Sequence, residues 1–271
     1  MHNFMGSSSP VSREKLNRMK ILGVIPARYA SSRFPGKPLV VIDGKTMIRR
    51  VYEQAVKCNK LIKVIVATDS ETIASHVRLF HGNVMMTAEH HNSGTERCAE
   101  VLEKLRMEGE VFDYVINIQG DEPYIEPDQI SQVAECFNNP QTQLATLIKR
   151  ITSPEELSSA NVVKVVADKM GYALLFSRSI IPFIRGRDQQ EWLTAAAFYK
   201  HVGIYGYQAS VLAKIVTLPV SELEHAESLE QLRWLDHGYR IITQVTEYES
   251  VAIDSPADLL KITNNTGTFL H

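Results

Sequence analysis

Short Val/Ile-rich runs alternate with amphipathic stretches from Ile21 to Thr87, and this alternation constrains the fold more than any other feature. Ile21–Ile25 reads as a buried strand. Thr46–Asn59 carries Met47, Ile48, Val51, Tyr52, Ala55 and Val56 at helical spacing. Lys63–Ala67 is a second apolar run, closed by Thr68-Asp69-Ser70, residue types that start helices. Glu71–Phe80 then reads as a helix and Val84–Thr87 as a strand. Strands that are apolar throughout, separated by helices, predict an α/β chain with a mostly parallel, doubly wound sheet. Ligands of such sheets sit beyond the carboxyl ends of the strands.

The segment after the first strand has the composition of an anion site. Pro26–Pro38 holds Arg28, Arg33 and Lys37, the hydroxyls of Ser31 and Ser32, Gly36 and three prolines. Backbone N–H groups and converging cations suit a polyphosphate, and the prolines limit the loop's freedom. The spacing is neither Gly-x-Gly-x-x-Gly nor a P-loop, which disfavours those two phosphate sites and a dinucleotide-dependent oxidoreductase. Formal net charge is −2, so nothing global points to nucleic acid and any anion site is a local cluster. A solvated basic loop is the competing reading.

Further polar clusters follow later elements. Tyr114–Ile118 reads as a strand running into Gln119-Gly120-Asp121-Glu122-Pro123. A carboxylate pair there suits Mg²⁺, which prefers oxygen ligands, although the same residues form solvated turns. HHNSGTER at His90–Arg97 leads into a helix over Cys98–Leu105, with Ser93 or Thr95 as cap and Glu96 in the first turn. That helix start suits a base or ribose, or is a cap with nothing bound. Val162–Ala167 and Tyr172–Phe176 read as a hairpin. Arg178 after it suits a substrate carboxylate or a surface ion pair. Arg185–Thr194 reads as a polar loop. His201–Tyr207 is a glycine-interrupted strand whose His and Tyr tips suit hydroxyl recognition or plain core packing. A capping box at Ser221–Glu224 opens one helix to about Leu235, on which Glu227 and Gln231 share a face. Arg240–Glu247 reads as a strand. Asp254, before Ser255-Pro256, is either a second metal carboxylate or a complement to a helix dipole.

Cys58, Cys98 and Cys136 are far apart and form no CxxC pair, which argues against a zinc site or disulfide scaffold and suits a reducing cytoplasm. No apolar run approaches a membrane span and no signal peptide is visible. Residues 1–18 are small, polar and unpatterned, and are expected to be a disordered extension or an expression leader. Residues 19–271 are expected to form one main domain with a substrate-binding lobe, not two independent domains.

Seven motifs occur in order: Pro26-Ala27-Arg28-x-x-Ser31-x-Arg33-x-Pro35-Gly36-Lys37, Ser93-Gly94-Thr95-Glu96-Arg97, Gln119-Gly120-Asp121-Glu122-Pro123, Phe176-Ser177-Arg178, His201-x-Gly203-Ile204-Tyr205-Gly206-Tyr207, Leu229-Glu230-Gln231-Leu232-Arg233 and Asp254-Ser255-Pro256-x-Asp258-Leu259. Together they resemble the 3-deoxy-manno-octulosonate cytidylyltransferase family, over about Lys20 to Ile262. The resemblance implies a nucleotide-diphospho-sugar transferase fold: a mostly parallel doubly wound sheet with a smaller mixed lobe for substrate binding and dimerisation. It implies a cytoplasmic, homodimeric, Mg²⁺-dependent enzyme with no nucleic-acid or membrane partner. The implied reaction transfers CMP from CTP to the anomeric hydroxyl of 3-deoxy-D-manno-octulosonate (KDO), releasing pyrophosphate, for lipopolysaccharide biosynthesis. On that resemblance Arg28, Ser31, Arg33 and Lys37 hold the triphosphate, with Lys37 and Arg28 catalytic. Ser93, Gly94, Arg97 and Gln119 surround cytidine. Asp121 and Asp254 bind the metal and are catalytic through it. Arg178 meets the KDO carboxylate, and His201, Tyr205, Glu227 and Gln231 its hydroxyls. A cytidylyltransferase for another acidic sugar, or a non-catalytic nucleotide-sugar-binding protein, is the alternative.

Overall fold

The chain is described from a computed structural model over residues 19–30, 34–249, 252–253 and 258–259. The expected extension, residues 1–18, lies outside this range, as do Ser31, Arg33 and Asp254.

The alternation read from the sequence is present. Strand β1 (Ile21–Ala27) is followed by a two-strand hairpin, β2 (Val41–Ile42) and β3 (Lys45–Thr46). Asp43 and Gly44 both take positive φ at its tip, the turn that matches strand twist. Helix α1 (Met47–Ala55), β4 (Lys63–Thr68), α2 (Glu71–Leu79), β5 (Val84–Met86) and α3 (Gly94–Met107) come next. Then follow β6 (Tyr114–Asn117), α4 (Pro127–Glu135), β7 (Leu144–Arg150) and the short α5 (Pro154–Ser158). The expected hairpin is β8 (Lys164–Ala167) with β9 (Ala173–Ser177). The chain continues through α6 (Trp192–Ala195), β10 (Tyr199–Gln208), α7 (Ala209–Ile215), α8 (Glu222–Glu227), α9 (Glu230–Asp236) and β11 (Ile241–Val245).

The main sheet runs β11-β7-β10-β6-β1-β4-β5, with β8 and β9 branching from β10. β5, β4, β1 and β6 are mutually parallel. β10 runs against β6 and β7, while β11 is parallel to β7. The chain winds outward from β1 to β5, then returns to place β6 on β1's other side. The connections leaving the carboxyl ends of β1 and β6 therefore run in opposite directions, which makes this the topological switch point of a doubly wound sheet.

Both faces of the sheet are covered. Ile21 and Ile25 of β1 pack with Val51 of α1, Val77 of α2 and Ile130 of α4. Leu22 and Val24 face Cys98 and Val101 of α3, Leu212 of α7 and Trp234 of α9. Residues facing both layers must all be apolar, which is why β1 reads as an unbroken run. Each such side chain contributes about 1.5–3 kcal/mol of burial free energy.

Three expectations are corrected. Helix α3 starts at Gly94, earlier than Cys98, because Ser93 is the N-cap: its Oγ accepts from the Glu96 N–H at 3.2 Å. The stretch expected to be a polar loop contains α6, because Trp192 is buried against Ile151, Leu157 and Phe198 in a small separate core. The helix expected from Ser221 to Leu235 is two helices, since Ser228 is left-handed (φ 52°) and Leu229 extended.

Candidate active site

The first wall of the site is the loop after β1. Gly36 has φ 69° and its N–H donates to the Tyr29 carbonyl at 3.0 Å, closing the loop on itself. The closed loop delivers Lys37 onto a short 3₁₀ turn, where its Nζ lies 2.7 Å from the Asp121 carboxylate. The second wall is the turn after β6. A Cβ on Gly120 would sit 2.6 Å from the Pro26 carbonyl, so only glycine lets the two strand ends approach this closely. The resulting cleft has a volume of about 390 Å³ and brings together Arg28, Lys37, Gly94, Arg97, Gln119 and Asp121. Six residues expected to bind nucleotide or metal, from three separate motifs, thus line one cavity.

Helix α3 supplies the third wall. Arg97 is fully buried, bonded to the Thr87 hydroxyl (2.6 Å), the Ala88 carbonyl (3.2 Å) and the Asp69 carboxylate. Its Nε is buried with no hydrogen-bond partner among the described residues, so one donor of the guanidinium is unspent. Asp69 was legible in the sequence only as part of a helix cap; it is instead the counter-ion that permits a buried guanidinium. Ser93 does not line the cleft; its side chain shapes α3's first turn.

Glu230 sits at the same helix start. It accepts from the Thr95 hydroxyl at 2.7 Å. Burial raises its pKa, against the lowering effect of hydrogen bonds from Thr95 and Ser93. The Thr95 hydroxyl also lies 3.3 Å from that of Tyr207, which Asn117 approaches at 3.3 Å. This buried chain joins α3, α9, β10 and β6. Sequence reasoning passed over Glu230 in favour of Glu227, because an unbroken helix would have put Glu227 beside Gln231. The break at Ser228 removes that helical register.

The residues expected to meet the sugar form a neighbouring group. Tyr205 pairs with Asn117 in the β10–β6 ladder, and a Cβ on Gly203 would meet Gln119 and Glu122 within 3.4 Å. β10 therefore flanks the turn that carries Asp121. Ser177 Oγ–H and the Arg178 N–H both donate to the Glu227 carboxylate (2.6 and 2.9 Å). The Arg178 guanidinium donates to the carbonyls of Glu227, Ala160 and Ser228. Three of its five N–H donors are so engaged, leaving two for an incoming anion. Lys164, not foreseen, is buried beside this pair, its Nζ donating to the carbonyls of Ser159 and Val162. Burial lowers its pKa, while Glu227 raises it. Gln231 is buried on α9.

His201 stacks edge-on against Phe176 and lies 5.0 Å, centroid to centroid, from Tyr205. Thr146 Oγ is 2.7 Å from the Ile204 carbonyl, to which it donates, and 3.0 Å from His201 Nε2. Nε2 is therefore assigned as the donor and Nδ1 as a free acceptor. Burial pushes the imidazole's pKa down to about 4. A folded pKa below the unfolded one means stability is full above the unfolded value and is lost as pH falls towards 4. The loss is at most about 3 kcal/mol, near 1.4 kcal/mol per pH unit. Urea unfolding of wild type and His201→Gln at neutral pH and at acid pH checks this: the wild type is expected to lose more stability on acidification. Equal losses would refute a neutral, enclosed His201.

Ile253, immediately before Asp254 in the chain, is buried, and its N–H donates to the Asp121 carbonyl at 3.0 Å. Among the described residues no three His, Cys, Asp or Glu side chains group as a metal cage. One partly exposed carboxylate at a strand end, beside a cation-rich loop, is a donor set for a hard ion that shares its coordination with substrate phosphates.

A phosphate-type loop and a strand-end carboxylate meeting at a switch point define a nucleotidyltransferase site. The cytidylyltransferase family profile matches residues 22–241. A 3-deoxy-manno-octulosonate cytidylyltransferase of Parabacteroides distasonis is 52% identical over 247 residues, 90% of this chain and 96% of that protein. Its counterpart in Bacteroides thetaiotaomicron is 52% identical over 244 residues, 89% of this chain and 96% of that protein. A solved structure of CMP:2-keto-3-deoxy-manno-octonic acid synthetase complexed with CTP superposes with a TM-score of 0.84 at 41% identity, covering 93% of this chain and all of the other. The chain belongs to the 3-deoxy-manno-octulosonate cytidylyltransferase family.

Proposed function

We propose that this protein transfers CMP from CTP to the anomeric hydroxyl of KDO and releases pyrophosphate, supplying an activated sugar for lipopolysaccharide biosynthesis. The observation that carries this reading is the convergence of Arg28, Lys37, Arg97, Gln119 and Asp121 at the β1/β6 switch point of a chain in this family.

Charge separates the two halves of the nucleotide. The α3 N-terminus would attract an anion, but Glu96 and Glu230 already stand there. The triphosphate therefore belongs on the loop side, with Arg28 and Lys37, and with Arg33 and Ser31 of the same loop. Cytidine belongs against Gly94, Arg97 and Gln119, where the unengaged Nε–H of Arg97 suits a ring acceptor of cytosine. Ser93 supports that wall as the α3 cap.

The KDO carboxylate is assigned to Arg178. Nδ1 of His201 suits a sugar O–H, and the Tyr205 hydroxyl, buried with no partner among the described residues, suits another. Gln231 and Glu227 complete this group, Glu227 also orienting Ser177 and Arg178. The sugar oxygen attacks the α-phosphorus while the bond to the pyrophosphate oxygen breaks; the hydroxyl proton is lost to solvent. Lys37 stabilises charge that grows on the α-phosphate and the departing pyrophosphate. Asp121 and Asp254 are assigned to hold Mg²⁺, which supplies phosphate charge neutralisation and a more acidic attacking hydroxyl.

The protein is further read as a cytoplasmic homodimer. Its cysteines are free, no described helix is long and apolar enough to cross a membrane, and the branching strand β9 exposes Leu174 and Leu175. Sedimentation equilibrium tests the dimer. Pyrophosphate release tests the reaction. It is expected only when CTP, KDO and Mg²⁺ are all present. Release with sialic acid in place of KDO would overturn the sugar, and no release from folded protein would overturn the activity.

A further inference from the structure

The two described arginines of the cleft, Arg28 and Arg97, rest on one short segment, residues 88–92, between β5 and α3. Arg97 donates to the Ala88 carbonyl from the buried side. Arg28 donates from its two terminal nitrogens to the carbonyls of His91 (3.1 Å) and Asn92 (2.8 Å). The segment belongs to no helix or strand, so its shape depends on what ties it to α3.

Two carboxylates on the first turns of α3 provide those ties. Glu96 accepts from the Asn92 N–H at 2.7 Å, and Glu100 from the Ala88 N–H at 2.9 Å. The His91 ring reaches both: Nε2 is 2.5 Å from Glu100 Oε2 and Nδ1 is 3.5 Å from Glu96 Oε2. Lys104 lies 2.7 Å from the other Glu100 oxygen and donates to the Met86 carbonyl at 2.7 Å, fixing Glu100 from behind. Burial raises the Glu100 pKa, but hydrogen bonds from Lys104, Ala88 and His91 outweigh it and bring the carboxyl down to about 2. Glu100 is thus a permanent acceptor.

We propose that His91 is a positioning residue for the triphosphate end of the cleft. Its ring staples the segment to α3 so that two consecutive carbonyls present a fixed two-point rest for the Arg28 guanidinium. The ring lies in contact with the α3 carboxylates, while the backbone of the same residue meets Arg28. An exposed arginine loses rotamer entropy when it is ordered, so a prepared rest lowers the cost of ordering it on a phosphate. This rests on the reading that Arg28 holds the triphosphate.

Calorimetric binding of CTP to the full chain, without sugar, tests the proposal across wild type, His91→Ala, His91→Gln, Arg28→Ala and the His91→Ala/Arg28→Ala double variant. His91→Ala is expected to weaken CTP roughly tenfold, an ordinary coupling between neighbours. His91→Gln, which can still reach Glu100, is expected to recover most of the loss. In the Arg28→Ala background His91→Ala is expected to add nothing, and KM for the sugar is expected to stay unchanged in His91→Ala. Wild-type affinity in His91→Ala, or losses that multiply in the double variant, would overturn the positioning role. Unchanged affinity in Arg28→Ala would overturn the Arg28 reading itself, and this proposal with it. If His91→Ala fails to fold, Glu100→Gln loosens the same staple and is read by the same criteria.

Discussion

Replacing Lys37 with alanine is expected to lower kcat for CMP transfer by roughly 10²–10³-fold, the cost of removing one preorganised donor from a developing oxyanion. The argument starts from how the side chain is held. Pro38 follows Lys37 in a 3₁₀ turn, and Gly36, in the left-handed region, brings the chain round to that turn. The backbone therefore aims the side chain at the cleft, and the pair with Asp121 holds the ammonium there. In a reaction with no covalent intermediate on the protein, positioning and charge neutralisation are what the chain can contribute. The Lys37–Asp121 pair is partly exposed, so its loss costs stability on the order of 1 kcal/mol, and a folded variant is expected. Single-turnover measurement at saturating CTP separates chemistry from binding. A rate close to wild type, with only KM for the sugar raised, would remove Lys37 from the chemical step.

The parts of this site that were legible in the sequence are those whose signal is local. The apolar runs of β1, β4 and β6 are unbroken because both sheet faces are covered, and their ends mark where ligands bind. Arg28, Gln119 and Asp121 each sit within a few residues of such an end, and Lys37 lies further along the loop that follows β1. Residues that act through distant partners were not legible. Asp69 reads as a helix-cap neighbour until Arg97 is seen to fold back onto it. His91 reads as one of two adjacent histidines until Glu96 and Glu100 meet its ring. The break between α8 and α9 has no glycine or proline to announce it. Its cause is tertiary: Leu229 is buried in the core facing α3, and Glu230 is drawn to Thr95. A short-range pattern of leucines cannot record that pull. The same break explains why Glu227 turns towards Ser177 and Arg178 while Glu230 turns towards α3.

Asp121→Asn is expected to abolish Mg²⁺-dependent turnover, by more than about 100-fold, since even partners outside a metal's ligand shell cost 10–100-fold when removed. The substitution keeps the shape of the side chain and removes its charge, so the fold and the Ile253–Asp121 backbone bond should survive. A second effect follows from the 2.7 Å pair. With no metal bound, Asp121 competes with an incoming phosphate for Lys37. Neutralising Asp121 should therefore tighten CTP binding measured without metal, while weakening the further gain that Mg²⁺ brings. In Lys37→Ala the sign reverses: metal-free CTP binding should weaken, because Asp121 then repels the triphosphate with no cation between them. Calorimetric titration of CTP with and without Mg²⁺ into wild type and both variants gives the four comparisons. Opposite shifts of metal-free affinity in the two variants would tie the nucleotide and metal roles to this one ion pair. Weaker metal-free binding in Asp121→Asn would show that its carboxylate does not compete for Lys37, and an undiminished Mg²⁺ dependence of turnover would place the metal elsewhere.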